Sequence, residues 1–177
     1  MTRQNIYWLA AVLGISGIAL STLVPGGPIE TRDFSHINPL TLGVFNTFLT
    51  TLCLGSLLLI YFVLRSEHWA MVMSAISGLS YLGVYGLDLA EIFPVSPDAM
   101  PPALLSIEVF GSILSIPLLV LSVQAMRSLR QRAVVEPVSS HTESLPSFQL
   151  SPILLAISLG AIALGVIVFS TSSAMGL

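Results

Sequence analysis

Five long apolar runs constrain the fold of this chain more than any other feature of its sequence. An α-helix needs roughly 20 apolar residues to cross the hydrocarbon core of a bilayer, and each run is close to that length. Of the 177 residues, 54% are hydrophobic and 8% are charged, and a chain of this size cannot bury so much apolar surface in a water-soluble core. The sequence therefore predicts an all-α integral membrane protein, a bundle of five transmembrane helices.

The apolar runs and the polar segments between them predict three parts. Residues 1–132 are expected to form a four-helix membrane bundle. Its spans are predicted at about 6–24, 40–64, 69–89 and 103–126. Residues 133–149 are rich in Ser, Pro and Glu and predict a cytoplasmic linker. Residues 150–177 hold the fifth span, from about 152 to 170, and a short tail.

The first apolar run permits two interpretations. Arg3 precedes it, and Ala19-Leu20-Ser21 loosely fits a small-x-small cleavage site, so the run could be a signal peptide. Cleavage would leave four spans. The run from Ile6 to Val24 is long for the apolar part of a signal peptide and has the length of a membrane helix. Retention as a span is the interpretation that we favour.

The arginines predict the orientation of the spans. The chain has no lysine, and with five spans Arg32 falls on one side of the membrane, opposite all its other arginines. These are Arg3, Arg65, Arg127, Arg130 and Arg132. Because basic residues concentrate in cytoplasmic segments, the N-terminus is expected on the cytoplasmic side of a cell (inner) membrane and the C-terminus on the outer side. An aromatic belt is expected at the same cytoplasmic boundary. Its members are Tyr7, Trp8, Tyr61 and Trp69.

The helical hairpin formed by the third and fourth spans carries the most informative side chains. Glu108 lies about five residues inside the fourth span, which is ~8 Å along a helix axis. A carboxylate at that depth must face the bundle and have a partner. Tyr81, Tyr85 and Asp88 follow one stripe of the third helix at a similar depth. The sequence predicts a cluster of these four residues, with Glu91 one turn beyond Asp88.

Three interpretations of this cluster are open. Two close carboxylates can share a proton and so form a proton relay or a cation site. Alternatively, Arg32 folds over from the first loop as a lid and neutralises the carboxylates through charge-assisted hydrogen bonds. In the third interpretation the groups lie at the headgroup boundary and are hydrated.

An intramembrane polar face is predicted on the second span, where Asn46 and Thr50 lie one helical turn apart. Polar groups inside a membrane need partners within the bundle, so this face is expected to point inward. Hydrogen bonding between helices is the simpler expectation for these two residues. Lining a transport path is the alternative.

Reactive signatures are absent from the sequence. One cysteine, Cys53, permits neither an intrachain disulfide nor a cysteine-based metal cluster. His36, His68 and His141 fall in three different connectors, so they predict no metal site and no haem ligation. No HExxH, GxSxG, CxxC or phosphate-binding glycine loop occurs, and no basic patch suits a nucleic acid. No catalytic residue, cofactor, metal or nucleic-acid partner is therefore expected.

The leading functional expectation is a non-enzymatic accessory, assembly or interaction subunit of a membrane complex. Its partners would be the lipid bilayer and other membrane proteins or a second copy of itself. Small residues at helical spacing, such as Ala70, Ser74 and Gly78, allow helix backbones to approach closely. The alternative is a proton- or cation-coupled carrier, or an oligomeric channel, that uses Glu108 and Asp88. An intramembrane enzyme acting on lipid ranks third, since no nucleophile is placed beside a base.

Overall fold

The computed structural model describes residues 3–25, 27, 29–135 and 152–176, which form five α-helices and no strand. The helices are α1 (Arg3–Ser21), α2 (Pro39–Leu64), α3 (His68–Leu89), α4 (Pro102–Val135) and α5 (Pro152–Ala174). Helices α1 to α4 are each long and apolar enough to cross a membrane. At this level the prediction of an all-α, membrane-embedded helical bundle is confirmed.

Turn-forming residues set the ends of α1 and α2. The side chain of Asn38 accepts a hydrogen bond from the backbone N–H of Leu40 at 2.8 Å, and Pro39 occupies the first turn of α2. This N-cap confirms what the Asn-Pro pair predicts. Helix α1 ends at Ser21 rather than at residue 24, because the segment that follows leads into Pro25, which cannot continue a helix.

The fourth helix is longer than predicted. It ends at Val135, whereas the sequence predicts a span to about 126 followed by a linker from 133. Polar side chains end an apolar run without ending a helix, so α4 continues through Arg127 and Arg130. Residues 136–149 of the predicted linker lie outside the described residues.

Helices α1 to α4 enclose one core, and α5 lies outside it. Helix α3 packs mainly against α4, α1 packs against α2 and α4, and α2 also contacts α3. In the described part of the chain, α5 packs against α2 and no other helix. The fully buried core side chains include Leu9, Leu13, Met71 and Leu118. A Cβ atom at Gly78 would lie 3.1 Å from the side chain of Leu119, so this glycine permits the close approach of α3 and α4.

The connections 22–38 and 90–101 meet at one end of the bundle, which we name the loop end. The backbone N–H of Asp33 donates to the carboxylate of Asp98 at 2.9 Å, and the hydroxyl of Ser96 donates to the carbonyl of Asp33 at 3.0 Å. Phe34 is buried against Leu42 of α2 and the end of α5. These contacts hold the first connection over the adjacent ends of α3 and α4.

Candidate functional site

Four charged side chains are buried together at the loop end. Asp88 lies in the last turn of α3, Glu108 in the second turn of α4, and Glu30 and Arg32 in the connection between α1 and α2. Glu108 exposes 1% of its surface, and none of the four exposes more than 9%. We name this group the charged cluster. Three carboxylates in it face one guanidinium, an imbalance that governs its chemistry.

Arg32 binds two carboxylates at once. Its Nη1 and Nη2 donate to Oδ1 and Oδ2 of Asp88 at 2.9 and 2.8 Å. Its Nε and Nη2 donate to Oε1 and Oε2 of Glu30 at 3.0 and 2.6 Å. Burial opposes the charge of Arg32, but its hydrogen bonds to the carboxylates of Glu30 and Asp88 outweigh burial and raise its pKa above the ordinary value. The guanidinium is therefore a fixed positive charge, and the structure brings it to Asp88 in the position of the predicted lid.

Glu30 joins the cluster through the local backbone. Residues 30 to 34 belong to no helix, and in extended backbone residues two apart point to the same side. The Oε1 atom of Glu30 also accepts the backbone N–H of Arg32 at 3.1 Å. Glu30 has no predicted role, although its spacing from Arg32 is a signal that could have identified it.

Glu108 lacks a cationic partner of its own. It shares a hydrogen bond with Asp88 and lies near Arg32 and Glu30, and only its Oε2 atom is buried without a hydrogen-bond partner. The hydroxyl of Tyr85 is also buried without a partner, and this ring lies beside Glu108. A buried carboxylate that lacks a hydrogen-bond partner is unfavourable. Binding of a proton, a water molecule or a cationic group at this point would remove the cost.

A small cavity adjoins the unpartnered groups. Its volume is about 40 Å³, and Glu30, Tyr85, Asp88 and Glu108 contribute to its lining. A water molecule takes up about 30 Å³ in the liquid, so the cavity accommodates a group of that size. The remaining lining is largely apolar and includes Phe45. The charged cluster is therefore a polar pocket enclosed by apolar side chains.

The two tyrosines of the predicted stripe have different environments. Both are buried, and their rings stack with centroids 6.3 Å apart. The hydroxyl of Tyr81 donates to the hydroxyl oxygen of Ser56 at 2.9 Å, so Tyr81 is satisfied by α2. Tyr85 instead reaches the carboxylates. The structure thus assigns Tyr85 to the charged cluster and Tyr81 to the contact between α2 and α3.

Glu91 does not join the charged cluster. Helix α3 ends at Leu89, and Glu91 has a left-handed backbone with a φ of 54°. This turn breaks the helical stripe one turn after Asp88, and the side chain of Glu91 is exposed. The expectation that it extends the cluster is therefore wrong.

The polar face of α2 points inward. Asn46 and Thr50 are both buried, and the Nδ2 of Asn46 donates to Oγ1 of Thr171 in α5 at 3.1 Å. Both residues also line a larger, mainly apolar cavity of about 260 Å³ between α1, α2 and α5. The sequence analysis did not identify Thr171 as the partner of Asn46.

No metal site is formed by the part of the chain that the structure describes. In those residues no group of three His, Cys, Asp or Glu side chains is placed to hold a metal ion. His36 lies in the connection between α1 and α2, His68 is the first residue of α3, and His141 lies outside the described residues.

A family model described as a domain of unknown function (DUF8051) matches residues 5–144. The match includes almost all of α1 and the whole of α2, α3 and α4, and it ends before α5 begins. All four residues of the charged cluster fall within it. No curated protein and no solved structure matches the chain.

Proposed function

The chain belongs to the DUF8051 family, defined by a domain of unknown function, and we propose that it is a non-enzymatic accessory or interaction subunit of a membrane complex. One observation carries this proposal. A line of small residues on α2 faces open grooves, and the two threonines in this line are exposed. We name it the α2 seam. It consists of Gly43, Thr47, Thr51 and Gly55, each one turn apart.

The α2 seam is open, and the hydroxyls of its two threonines are hydrogen-bonded. A Cβ atom at Gly43 or Gly55 would meet nothing within 4 Å. The hydroxyl of Thr47 donates to the carbonyl of Gly43 at 2.7 Å, and that of Thr51 donates to the carbonyl of Thr47 at 2.8 Å. The seam therefore presents no unpaired polar side chain to lipid or to a partner.

Two grooves follow the α2 seam. One of about 380 Å³ lies along Gly43 and Thr47, and another of about 400 Å³ lies along Thr51 and Gly55. Small residues allow a second transmembrane helix to approach closely, and such close approach drives helix association in membranes. The seam and its grooves support a transmembrane helix of another protein, or of a second copy, as the occupant.

Five spans in a cell (inner) membrane, with the N-terminus inside and the C-terminus outside, form the proposed topology. Retention of α1 is supported by Leu9 and Leu13, which are fully buried in the core. The guanidinium of Arg65 lies 5.3 Å from the ring centroid of Tyr61, and Trp69 is partly exposed at the same end. Exposed aromatic residues beside arginine suit a cytoplasmic interface.

Site-specific photo-crosslinking in native membranes tests the interaction proposal. A photoreactive amino acid at Thr51 is expected to yield a discrete protein adduct. The same amino acid at Ile113, which is 62% exposed on α4, is the control and should yield no such adduct. Gly55→Leu should abolish the Thr51 adduct, because the larger side chain fills the seam without disturbing this chain. Labelling of lipid alone at both positions would refute the proposal.

A second candidate function is a carrier coupled to proton movement. The unpartnered Oε2 of Glu108 favours it, because transporters place their proton-binding carboxylates inside the membrane in this way. The test is proton uptake into liposomes under an imposed membrane potential. Glu108→Gln should abolish uptake, and Glu91→Gln, at the exposed carboxylate of the same end, should leave it unchanged. Uptake that survives Glu108→Gln would contradict this function.

A further inference from the structure

Two adjoining cavities at the loop end differ in charge. The cavity of about 40 Å³, which we name the acidic cavity, is lined by Glu30, Asp88 and Glu108 among mainly apolar side chains. The cavity of about 260 Å³ between α1, α2 and α5, which we name the apolar cavity, has no charged residue in its lining. Both are lined by Leu20, Leu23, Pro25, Asn46 and Leu49. A ligand that filled both cavities would have a small polar group joined to an apolar body.

The acidic cavity favours a positive charge on that small group. Glu30, Asp88 and Glu108 face a single guanidinium, and both carboxylates that bind Arg32 use both of their oxygens. The Oε2 of Glu108 and the hydroxyl of Tyr85 are buried without partners, and both residues contribute to the lining of this cavity. A cationic group with N–H donors would satisfy both atoms and offset the excess negative charge.

The size and ligand set favour an ammonium group over a metal ion. The cavity accommodates a group about as large as one water molecule, roughly 30 Å³. The described residues offer no group of three side chains placed for a metal ion. A primary ammonium, by contrast, has three N–H donors, which suit the carboxylate of Glu108 and the oxygen of Tyr85.

The apolar cavity suits a hydrocarbon chain. It is lined mainly by aliphatic side chains, including Leu54, Leu57 and Val166. Its volume of about 260 Å³ is close to the lower end, roughly 300 Å³, of small-molecule pockets in proteins. Because α5 forms one wall, the cavity is sheltered within the chain rather than open on a bare helix face.

We propose that the two cavities together bind a single-chain alkyl amine. The ammonium group lies against Glu108 and Tyr85, and the alkyl chain occupies the space between α1, α2 and α5. This site is separate from the α2 seam, so loss of one leaves the other intact. This site also differs from the site of a proton carrier, because its ligand is a cation that carries an alkyl chain.

Native mass spectrometry of the full chain tests this site with three probes of equal length: dodecylamine, dodecanol and dodecanoic acid. One dodecylamine per chain is expected to bind at least tenfold more tightly than either control compound. Glu108→Gln should reduce dodecylamine binding at least tenfold, and Glu91→Gln should not. Equal binding of the three compounds, or no binding, would overturn the proposal.

A second pair of variants tests the apolar cavity without altering any carboxylate. These variants therefore test the proposed amine site even if Glu108→Gln fails to fold. Val166→Trp fills the cavity and should weaken dodecylamine binding at least tenfold. Val168→Trp is the matched control, because Val168 is exposed on the same helix and lies outside the lining. Equal affinities for the two variants would contradict the assignment.

The single cysteine of the chain reports the position of the bound tail. Cys53 lines the apolar cavity and is half-buried, and its thiol donates to the carbonyl of Gly17 at 3.3 Å. Dodecylamine should slow the modification of Cys53 by N-ethylmaleimide at least fivefold, as followed by intact mass. Tight binding without protection of Cys53 would place the amine elsewhere and refute this site.

Discussion

Arg32 supplies the single positive charge of the charged cluster, so its side chain has the largest expected effect on stability there. Arg32→Gln would leave Glu30 and Asp88 buried without their counter-charge, and such a loss costs about 3–5 kcal/mol. The measurement is thermal unfolding in detergent. Arg65→Gln is the control, because the exposed Arg65 contacts Tyr61 at the opposite end, where an exposed pair contributes about 1 kcal/mol or less. Equal shifts for the two variants would show that the lid contributes nothing.

Asp33 gives the loop end a dependence on acid pH. The backbone N–H and the hydroxyl of Ser35 donate to its carboxylate at 2.8 and 2.9 Å, and these bonds hold the pKa of Asp33 below its ordinary value of 3.8. A pKa lowered by folding stabilises the folded state above the ordinary value, and this stabilisation is lost as the pH falls through the lowered one.

Asp33→Asn should therefore unfold at a temperature that depends less on pH in the acid range. The measurement compares the unfolding midpoints of the variant and the natural chain at about pH 7 and about pH 3. The variant is expected to lose less stability between these two conditions. A steeper acid dependence in the variant would contradict the assigned role of Ser35 as a donor to Asp33.

At the residue scale, the side-chain contacts of the charged cluster were only partly predictable from the sequence. Arg32 is the one arginine expected on its side of the membrane, so a lid over the carboxylates was one of the three interpretations that the sequence offered. Glu30 depends instead on the local backbone of the first connection. Tyr81 and Tyr85 share a stripe, but one turn of helix places one hydroxyl beside Ser56 and the other beside Glu108. Periodicity alone does not distinguish these environments.

At the scale of elements, the close contact between α3 and α4 requires that Gly111 has no side chain. A Cβ atom at Gly111 would overlap the ring of Tyr85, so Gly111→Ala should destabilise the bundle by about 1–3 kcal/mol. Gly86→Ala is the matched control, since a Cβ atom there meets nothing within 4 Å. Chemical unfolding in mixed micelles measures both variants. Equal stability would mean that α3 and α4 are not as close as the structure has them.

The helices themselves were largely predictable, and their ends less so. Apolar runs locate α2 and α3 within a residue of their observed ends, because a bilayer demands continuous apolar length. The same criterion gives only the apolar part of α4, since a helix can leave the bilayer and continue in water. The contact of α5 with α2 was not predictable, because several spans have small-residue faces that would suit it equally well.

At the scale of the whole molecule, the proposed topology predicts where reporter domains function. Alkaline phosphatase is active only outside the cytoplasm, so it should be active when inserted in the connection 90–101 or fused after α5. A fluorescent protein that matures only in the cytoplasm should be bright at the N-terminus and dark after α5. Bright fluorescence after α5 would show that α5 does not cross the membrane and that four spans are present.

The pairing of Glu30 with Arg32 has a consequence for biosynthesis. The two residues belong to one short connection, so the ribosome produces a neutral pair before Asp88 or Glu108 exists. Asp88 then meets a guanidinium that Glu30 has already oriented. Glu108 emerges last of the four, when Glu30 and Asp88 can already occupy four of the five N–H donors of Arg32. The third carboxylate of the charged cluster is therefore added only with α4, after the ion pair of the first connection and Asp88 have been made.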